Sequence, residues 1–426
     1  MSRPATLAEW LAYLETLHPK AIALGLERVR DVYARLGIAP ACPVVTVGGT
    51  NGKGSTATFA ERMLAAAGYR ACLYTSPHLL AYNERVRIAG TLAGDAELCA
   101  AFAAVEAVRG DTPLTYFEFG TLAALWLFAR ANADAWVLEV GLGGRLDAVN
   151  VVDADVAVVT TVALDHTDYL GPTREAIGRE KAGIFRAARP AICADADPPA
   201  SLVEHAQAVG AKLLRIGVDF GYAREGAQWR YFGPAGARYG LPHPALRGDY
   251  QLANAAAAMT ALDALENRLP IAMNALREAL VGIELPGRFQ VLPGRPVTVL
   301  DVAHNPQAAR AFADNLGAMG FHPRTLAVLG IMVDKDIDAV IAAIAHRVDL
   351  WLVATLPPPR GATSGLLGER LAHAGVDGDA IRAFASPGEA YAAARGIASE
   401  ADRIVVFGSF LTVAAALARA RDRATR

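Results

Sequence analysis

Apolar positions along the chain change repeatedly from a helical spacing to short continuous runs. Between Thr6 and Leu36 they recur at helical spacing and predict two helices. A buried strand begins at Val44, and later apolar runs alternate with helical segments, which is typical of a parallel sheet covered by helices. The segments predicted next are strands at residues 70–74, 135–140, 156–164 and 190–194 and helices at residues 57–67 and 121–131.

The second part of the chain repeats this alternation after a different kind of segment. Alternating aromatic and polar residues between Gly217 and Leu246 predict antiparallel strands, and alanine-rich helices follow at residues 250–265 and 271–281. Pro286 and Gly287 then interrupt all periodicity, so we place a domain boundary there. The strands predicted beyond it are residues 297–301, 325–330, 350–354, 381–385 and 404–407.

The predicted fold class is therefore α/β with two domains. Residues 1–285 are expected to form a P-loop-type domain, with a mostly parallel sheet flanked by helices. Residues 286–426 are expected to form a smaller, Rossmann-like α/β domain.

Composition and charge narrow the class of ligand. With 41 basic and 43 acidic residues among 426, the formal net charge is −2, so the chain lacks the basic field of a nucleic-acid binder. Cys42, Cys72, Cys99 and Cys193 stand far apart, which indicates free thiols in a reducing compartment. Neither an export signal in residues 1–10 nor a membrane-spanning apolar stretch is visible. We expect a cytoplasmic monomer that acts on small molecules and binds neither nucleic acid nor membrane.

The strand at Val44 runs into a glycine-rich turn that bears a lysine, Gly49-Thr50-Asn51-Gly52-Lys53-Gly54-Ser55-Thr56. Small residues let backbone N–H groups approach phosphate oxygens, and the start of a helix adds the positive end of its dipole. Lys53 adds a point charge, and Ser55 or Thr56 could reach a metal ion. Val47 and Gly54 stand where an ordinary Walker A loop has glycine and Ser or Thr. The turn therefore predicts a nucleoside triphosphate site of a variant type.

Polar residues also end other predicted strands. Ser76 follows the second strand, Glu139 ends the third, and Asp165-His166 end the fourth. Because ligand groups in open α/β sheets come from the carboxyl ends of strands, we expect these side chains to surround the phosphate loop. Oxygen and nitrogen donors without cysteine suit Mg²⁺ beside nucleotide phosphates better than a structural zinc.

Each of these residues also has a purely structural interpretation. Glu139 could cap a helix, and His166 could be a hydrogen-bonded core histidine. Ser76-Pro77-His78 could be only a turn. The three glycines at positions 141, 143 and 144 could close a tight turn or mark the close approach of a ligand.

Eight segments, spread over nearly the whole chain, carry a family resemblance. They are GTNGKGST at 49–56, TSPHL at 75–79, TYFEFGT at 115–121, residues 138–150, DHT at 165–167, EKAGIF at 180–185, LPGR at 285–288 and DVAHNP at 301–306. In this order they resemble the Mur ligase superfamily, and within it the folate branch of bacterial bifunctional folylpolyglutamate and dihydrofolate synthases.

The resemblance implies an ATP-dependent amide ligase. In such enzymes the γ-phosphoryl group of ATP converts a carboxylate into an acyl phosphate, and the α-amine of L-glutamate then displaces phosphate. The implied acceptors are dihydropteroate and tetrahydrofolate with its polyglutamates. Positioning and charge neutralisation by loop amides, Lys53 and metal ions are sufficient for such phosphoryl transfer.

The resemblance also implies two Mg²⁺ ions and the residues around them. Ser76 and Glu139 would hold one ion, and Glu139, His166 and Lys181 would surround the second. Family members commonly carry a carbamylated lysine at the position of Lys181, and a carbamate supplies anionic oxygens where an ammonium would repel Mg²⁺. The alternative for Lys181 is an ordinary helix lysine paired with Glu175 or Glu180.

Implied ATP and glutamate contacts come from both predicted domains. Arg288 lies at the predicted boundary, so we expect it to reach the phosphates only when the domains close. His304 and Ser409 are implied to receive glutamate. The implied ATP-binding set is Thr50, Asn51, Gly52, Lys53, Gly54, Ser55, Asn254, Arg288 and Asp301.

The pterin-bearing substrate has its own implied set of residues. Its aromatic members could equally be core residues. Ala23 departs from the pattern, because enzymes of this branch often carry an acidic residue there, whereas Asp147 matches. The implied set is Ala23, Leu24, Gly25, Thr115, Tyr116, Phe117, Glu118, Leu146, Asp147 and Ala148.

Three rival functions fit the sequence less well. A cell-wall precursor ligase of the same superfamily usually carries an additional N-terminal domain, whereas about 43 residues precede the first strand here. A P-loop kinase or GTPase is disfavoured by the loop spacing and by the second α/β domain. A non-catalytic nucleotide-binding relative is disfavoured by the presence of Lys53, Glu139, His166 and Lys181.

Overall fold

The computed structural model describes residues 4–20 and 22–424, so the outermost ends of the two predicted domains lie outside the described residues. The chain divides into two units. The first unit comprises Met1–Ala245 and Gln251–Ile283, and the second comprises Leu246–Tyr250 and Glu284–Arg426. Both units are α/β, which confirms the predicted fold class.

An eight-stranded sheet is the frame of the first unit, and its strand order is β4-β3-β2-β5-β1-β6-β7-β8. The neighbouring strands β2, β5, β1, β6, β7 and β8 all pair in parallel. At one edge, β3 pairs antiparallel with β2, and β4 pairs antiparallel with β3. The strands are β1 Val44–Gly48, β2 Ala71–Tyr74, β3 Val86–Ile88, β4 Thr91–Leu92, β5 Ala135–Glu139, β6 Val156–Val159, β7 Pro190–Cys193 and β8 Lys212–Arg215.

Helices cover this sheet. They are α1 Leu7–Thr16, α2 Glu27–Leu36, α3 Lys53–Ala66, α4 Asp95–Arg109, α5 Tyr116–Phe128, α6 Thr167–Leu170, α7 Arg174–Ala182, α8 Ala200–Ala208, α9 Tyr250–Asp263 and α10 Met273–Gly282. Two short 3₁₀ helices occur at Tyr82–Arg85 and Ala148–Val151. The central strands β1 and β5 are buried along their whole length, as expected where helices cover both faces of a parallel sheet.

The segment of alternating aromatic and polar residues between Gly217 and Leu246 forms a separate antiparallel sheet, as predicted. Its strands are β9 Gly221–Glu225, β10 Gln228–Gly233 and β11 Gly236–Pro242, with β10 in the centre. The sheet packs on α9, because the Tyr231 hydroxyl donates to Asp263 Oδ2 at 2.8 Å and Arg238 forms a 2.6 Å ion pair with the same carboxylate.

Two apolar clusters stabilise the first unit. One cluster contains the buried rings of Trp10, Phe102, Phe119 and Trp136. The other lies around Ile177 and includes apolar residues of β6, β7 and α8. Removing such side chains from water is the main favourable contribution to folding.

The second unit is built on a six-stranded sheet with the order β12-β13-β17-β14-β15-β16. Only β12 pairs antiparallel. The strands are β12 Gln290–Leu292, β13 Val297–Leu300, β14 Thr325–Leu329, β15 Leu350–Ala354, β16 Ile381–Phe384 and β17 Arg403–Phe407, and the helices are α11 Pro306–Gly317, α12 Ile337–Ile344, α13 Ser364–His373, α14 Pro387–Ile397 and α15 Phe410–Ala424. The rings of Phe289, Phe312, Trp351 and Phe407 lie in its core.

Two helices next to the phosphate loop start earlier than predicted. Helix α3 begins at Lys53 rather than at residue 57, because Gly52 adopts the left-handed conformation that starts it. Helix α5 begins at Tyr116 rather than at residue 121, because Thr115 and Glu118 form a reciprocal capping box. A left-handed glycine sets the first start and a polar capping box sets the second, so apolar periodicity could not locate them.

Within the described part of the chain, no helix is both long enough and apolar enough to cross a membrane.

Candidate functional site

The phosphate loop joins β1 to α3, and the segment that follows β6 fixes its shape. The Thr50 N–H donates to Thr161 O at 2.6 Å, and the Asn51 N–H donates to Thr161 Oγ1 at 3.2 Å. In return the Thr160 hydroxyl donates to Asn51 O at 2.7 Å. The loop is therefore held by backbone and threonine bonds to a neighbouring strand end.

Glycine is required at two positions of this loop. A Cβ at Gly49, whose φ is +138°, would collide with Thr160 Oγ1. A Cβ at Gly52, whose φ is +88°, would lie 2.5 Å from Asn254 Oδ1. Gly52 immediately precedes α3, whose first-turn N–H groups have no acceptors within the helix. These N–H groups and the helix dipole can bind phosphate oxygens.

The structure places Asn254 of α9, a member of the predicted ATP-binding set, beside Gly52 of this loop. Its Nδ2 donates to Gln251 Oε1 at 2.9 Å, which orients the amide toward Gly52. Lys53 is held by the loop itself, since its Nζ donates to Thr50 O at 3.1 Å. Gly54 and Ser55 are buried in the first turn of α3.

Glu139 ends β5 and lies beside the end of β1, opposite Val47 in the sheet register. The Ser76 N–H donates to Glu139 Oε2 at 3.0 Å, so the residue that follows β2 meets the carboxylate that ends β5. Glu139 is buried, with 3% of its surface exposed.

Asp165 and His166 do not end β6, which contradicts the prediction. The strand stops at Val159, and Thr160 and Thr161 follow it directly. Asp165 and His166 lie farther along the connecting loop, where the His166 N–H donates to Asp165 Oδ1 at 2.9 Å. The His166 side chain is 28% exposed, so it is not a core histidine. The apolar run at 162–164 extended the predicted strand too far.

Lys181 lies near the end of α7 and is buried, with 3% of its surface exposed. Its Nζ donates to Gly49 O at 2.8 Å. Glu180 instead pairs with Arg145, and Glu175 accepts the Ala200 and Ser201 N–H groups. The alternative of an ordinary helix lysine paired with Glu175 or Glu180 is therefore wrong. Burial, reinforced by the charge of Lys53, lowers the pKa of Lys181 to about 7, although Asp165 and Asp147 oppose this shift.

The glycines at 141, 143 and 144 pack against protein atoms. A Cβ at Gly141 would lie 2.5 Å from the Phe117 ring, and one at Gly144 would lie 2.9 Å from both Glu180 O and Lys181 O. Gly143 has a φ of +69° and contacts Leu170. Close packing of the loop after β5 is therefore sufficient to explain all three glycines.

The structure brings together the segments predicted to contact the pterin-bearing substrate. Arg28 links two of them, because its Nη2 donates to Ala23 O at 2.8 Å and forms a 2.7 Å ion pair with Glu118. The Gly25 N–H donates to Leu146 O at 3.4 Å, which adds the third segment. The set is Ala23, Leu24, Gly25, Thr115, Tyr116, Phe117, Glu118, Leu146, Asp147 and Ala148.

Asp147 is the most perturbed carboxyl group of this set. It is buried, and it accepts the Leu142 N–H at 2.8 Å and the Val149 N–H at 3.0 Å. Burial raises the pKa of Asp147 to about 7, although these backbone bonds and Lys53 act in the opposite direction. The aromatic neighbours Tyr116 and Phe117 are half-buried and pack against the apolar cluster that contains Trp10.

In the second unit, the predicted residues gather at the carboxyl ends of β13 and β17. Asp301 accepts the Phe289 and Ala303 N–H groups, both at 2.8 Å, and burial raises its pKa to about 6. His304 Nδ1 lies 2.8 Å from Val302 O, which fixes the Nδ1–H tautomer. The Ser409 hydroxyl accepts the Thr412 N–H at 3.1 Å. The guanidinium of Arg288 lies 5.1 Å from the centre of the Phe410 ring.

Sequence reasoning missed three contributors to these sites. Thr160 and Thr161 form the bonds that shape the phosphate loop, and Arg28 joins the substrate segments. The threonine pair at the end of an apolar run was a usable signal. Arg28 had no such signal, because its partner Glu118 is 90 residues away.

The residues at these strand ends fit a magnesium ion that shares its ligands with phosphate. The described residues contain no group of three or more His, Cys, Asp or Glu side chains that could hold a metal. Mg²⁺ typically takes one or two carboxylates and completes its shell with water and phosphate oxygens. Glu139, which accepts the Ser76 N–H, offers such a carboxylate at the end of β5, next to the strand that leads into the phosphate loop.

Comparison with known proteins gives consistent matches over the whole chain. The Mur ligase middle domain matches residues 47–262, and the Mur ligase glutamate ligase domain matches residues 287–410. The chain is 48% identical over 409 residues to the dihydrofolate synthase/folylpolyglutamate synthase of Escherichia coli (strain K12), covering 96% of this chain and 94% of the relative. The protein of the same name from Haemophilus influenzae is 39% identical over 429 residues, covering 96% of each chain.

Solved structures agree with these sequence matches. E. coli FolC in complex with DHPP and ADP superposes with a TM-score of 0.93 at 46% identity, covering 100% of both chains. A bifunctional folylpolyglutamate synthase/dihydrofolate synthase with Mn, AMPPNP and L-glutamate bound superposes with a TM-score of 0.91 at 45% identity. That match covers 99% of this chain and 100% of the other.

Proposed function

Because the chain belongs to the dihydrofolate synthase/folylpolyglutamate synthase branch of the Mur ligase family, we propose that it joins L-glutamate to folates at the expense of ATP. The protein is a ligase that forms C–N bonds. Its acceptors are dihydropteroate, which yields dihydrofolate, and tetrahydrofolate with its polyglutamates. Solved relatives hold ADP with DHPP in one case, and Mn, AMPPNP and L-glutamate in another.

One observation carries this function. The glycine-rich loop after β1, Ser76 after β2 and Glu139 at the end of β5 lie at one edge of the sheet, and Lys181 Nζ bonds the loop at Gly49 O. Such an edge can hold a triphosphate beside a carboxylate substrate. A P-loop kinase or GTPase is not supported, since both family models match this chain.

The ligation proceeds in two balanced steps. An oxygen of the acceptor carboxylate attacks the γ-phosphorus of ATP, so a C–O–P bond forms and ADP leaves. The neutral α-amine of glutamate then attacks the acyl carbon, phosphate leaves with the oxygen, and the amine loses a proton. We propose that the loop N–H groups and Lys53 orient the phosphates and neutralise their charge during the first step.

We propose that Glu139, Ser76 and His166, with modified Lys181, hold Mg²⁺. The bound metal would supply charge neutralisation for the phosphates. Glu139 is the most suitable of these residues, because its buried carboxylate already lies beside Ser76. Two ions would share this carboxylate.

We propose that Lys181 is carbamylated in the active enzyme. Its amine is almost completely buried against a backbone carbonyl, where a permanent ammonium is unfavourable. Carbon dioxide adds to the neutral amine, forming an N–C bond and releasing a proton. The resulting carbamate has the anionic oxygens that Mg²⁺ binds.

From the second unit, we propose that Arg288 and Asp301 contribute to ATP binding and that His304 and Ser409 bind glutamate. Asp301, His304 and Ser409 follow the neighbouring parallel strands β13 and β17, and ligand groups in such sheets gather at these ends. From the first unit, Asn254 would contact ATP, and the segments joined by Arg28 would bind the pterin.

The proposed domain limits are residues 1–285 and residues 286–426.

We propose that the enzyme works in the cytoplasm as a monomer. All four cysteines are free thiols, which is usual in a reducing compartment.

The test is ATP-dependent phosphate release by the purified protein with Mg²⁺ and glutamate. Dihydropteroate, tetrahydrofolate and a muramyl nucleotide serve as alternative acceptors. We expect release with the first two, accompanied by a product heavier by one glutamyl residue. Release with the muramyl compound alone would refute the proposed function.

A further inference from the structure

Arg85 lies next to the proposed metal and substrate residues, yet it belongs to none of the predicted sets. It ends the 3₁₀ helix Tyr82–Arg85, and its carbonyl accepts the Thr75 N–H at 2.9 Å, one residue before Ser76. Only 9% of Arg85 is exposed. An arginine in this position requires either a structural partner or a ligand.

The surroundings of the Arg85 guanidinium are aromatic. Its central carbon lies 5.3 Å from the centre of the Tyr82 ring and 5.5 Å from that of Tyr116. Its Nε donates to His78 Nδ1 at 2.8 Å, so this imidazole accepts with an unprotonated nitrogen. Tyr116 is a member of the set proposed to bind the pterin-bearing substrate.

Arg85 forms no ion pair with a carboxylate within the part of the chain that the structure describes. The adjacent carboxylate, Glu84, is engaged elsewhere, because it accepts the N–H groups of residues 79, 80 and 81 at 2.6, 2.9 and 2.9 Å. Other arginines of this unit, such as Arg28 and Arg238, do have carboxylate partners. A buried cation without a counter-charge is unfavourable, unless a ligand supplies one.

The guanidinium also lies within hydrogen-bonding reach of the Tyr74 hydroxyl, where it opposes the rise in the pKa of Tyr74 that burial causes. The other N–H groups of Arg85 match a carboxylate. A guanidinium binds carboxylates through two parallel hydrogen bonds, and stacking on aromatic rings fixes its plane. The two classes of acceptor differ in the number of carboxylates that they carry. Dihydropteroate has one carboxylate, which is the reacting group. A folate acceptor ends in glutamate and therefore carries a second carboxylate that does not react.

We infer that Arg85 binds the non-reacting carboxylate of the terminal glutamate in folate acceptors, and so determines the preference of the enzyme for them over dihydropteroate. This inference rests on the proposed function, because it presupposes that both acceptors are used. Arg85 would hold the terminal glutamate so that its other carboxylate faces the phosphate loop.

The test compares both acceptors in one variant. Replacing Arg85 by methionine, Arg85→Met, removes the charge and keeps an apolar side chain against the two tyrosines. We expect kcat/KM for tetrahydrofolate to fall about 10- to 100-fold, which is the usual effect of losing a charged hydrogen bond. This fall should result mainly from a higher KM for tetrahydrofolate. The kcat/KM for dihydropteroate and the KM for glutamate should change by less than about threefold.

Arg130→Met is the matched control. Arg130 also stacks on an aromatic ring, with its guanidinium carbon 3.8 Å from the Trp126 ring centre, but it is exposed. The control should leave the ratio of the two kcat/KM values unchanged, and Arg85→Lys should restore part of the preference for tetrahydrofolate.

A measurement on the unaltered enzyme covers the case in which Arg85→Met does not fold. A tetrahydrofolate monoamide, which keeps the reacting carboxylate and blocks the other, should be used about 10- to 100-fold less efficiently than tetrahydrofolate. Equal use of both compounds by the unaltered enzyme would overturn the inference. Equal losses with both acceptors in folded Arg85→Met, or a raised KM for glutamate, would overturn it as well. If the unaltered enzyme ligates neither acceptor, the proposed function itself fails.

Discussion

The phosphate loop is predicted to tolerate no side chain at Gly52. In Gly52→Ala, the alanine would have to adopt a φ of +88°, which is unfavourable by about 1–2 kcal/mol for a residue with a Cβ. The new Cβ would also lie 2.5 Å from Asn254 Oδ1. Moving Asn254 away breaks its hydrogen bond to Gln251, which lowers the stability by about 1 kcal/mol more. We therefore expect Gly52→Ala to lower the free energy of unfolding by about 2–3 kcal/mol.

Gly68→Ala is a matched control at the other end of the same helix. Gly68 has a φ of +91°, and a Cβ there would meet no atom within 4 Å. This control should lose only the backbone contribution of about 1–2 kcal/mol. The difference between the two variants then measures the collision with Asn254.

Urea unfolding and calorimetric titration with ADP provide the two measurements. Because the loop must move or push Asn254 aside, Gly52→Ala should bind ADP at least about tenfold more weakly, which corresponds to roughly 1.4 kcal/mol. Gly68→Ala should bind ADP like the unaltered protein. If Gly52→Ala is no less stable than the control and binds ADP normally, the described loop geometry does not govern nucleotide binding.

Three further predictions concern the carboxylates and the buried lysine. Glu139→Gln should raise the Mg²⁺ concentration required for half-maximal activity by about 10- to 100-fold or more, and an unchanged Mg²⁺ titration would contradict its role. Lys181→Ala should lose most activity and regain part of it with acetate or propionate, so full activity without any addition would refute the carbamate. The pKa of Asp147 is raised from 3.8 to about 7 in the folded protein. Between these values the native state keeps a proton that the unfolded chain loses, so the contribution of Asp147 to stability falls as pH rises from about 4 to 7. In urea unfolding at pH 5 and pH 7, Asp147→Asn should therefore lose less stability with rising pH than the unaltered protein, and equal losses would argue against a protonated Asp147.

The apolar pattern predicted the sheets well, because buried parallel strands are continuous apolar runs. Strands β1, β2, β5 and β7 and all the parallel strands of the second unit lie within one or two residues of their predicted positions. Short edge strands such as β3 and β4 carry too few apolar residues to be visible in the sequence. Their positions depend on the pairing of β3 with β2 and of β4 with β3, which local pattern does not encode.

The site was predictable where one segment carries the chemistry and unpredictable where distant residues cooperate. The loop with Lys53, and Glu139 at a strand end, followed from local sequence. The surroundings of Arg85 did not, because His78, Tyr82 and Tyr116 converge on it only in the folded chain. The same holds for the bonds from residues 160 and 161 that shape the loop.

These threonine bonds determine when the phosphate loop becomes ordered. Thr160 and Thr161 fix Thr50 and Asn51 through contacts that involve no nucleotide. The loss of backbone entropy, about 1–2 kcal/mol for each residue fixed, is therefore incurred during folding and not during binding. Contacts with ATP need not compensate for it, so exchange of spent ADP for fresh ATP can proceed without the loop melting and reforming in every catalytic cycle.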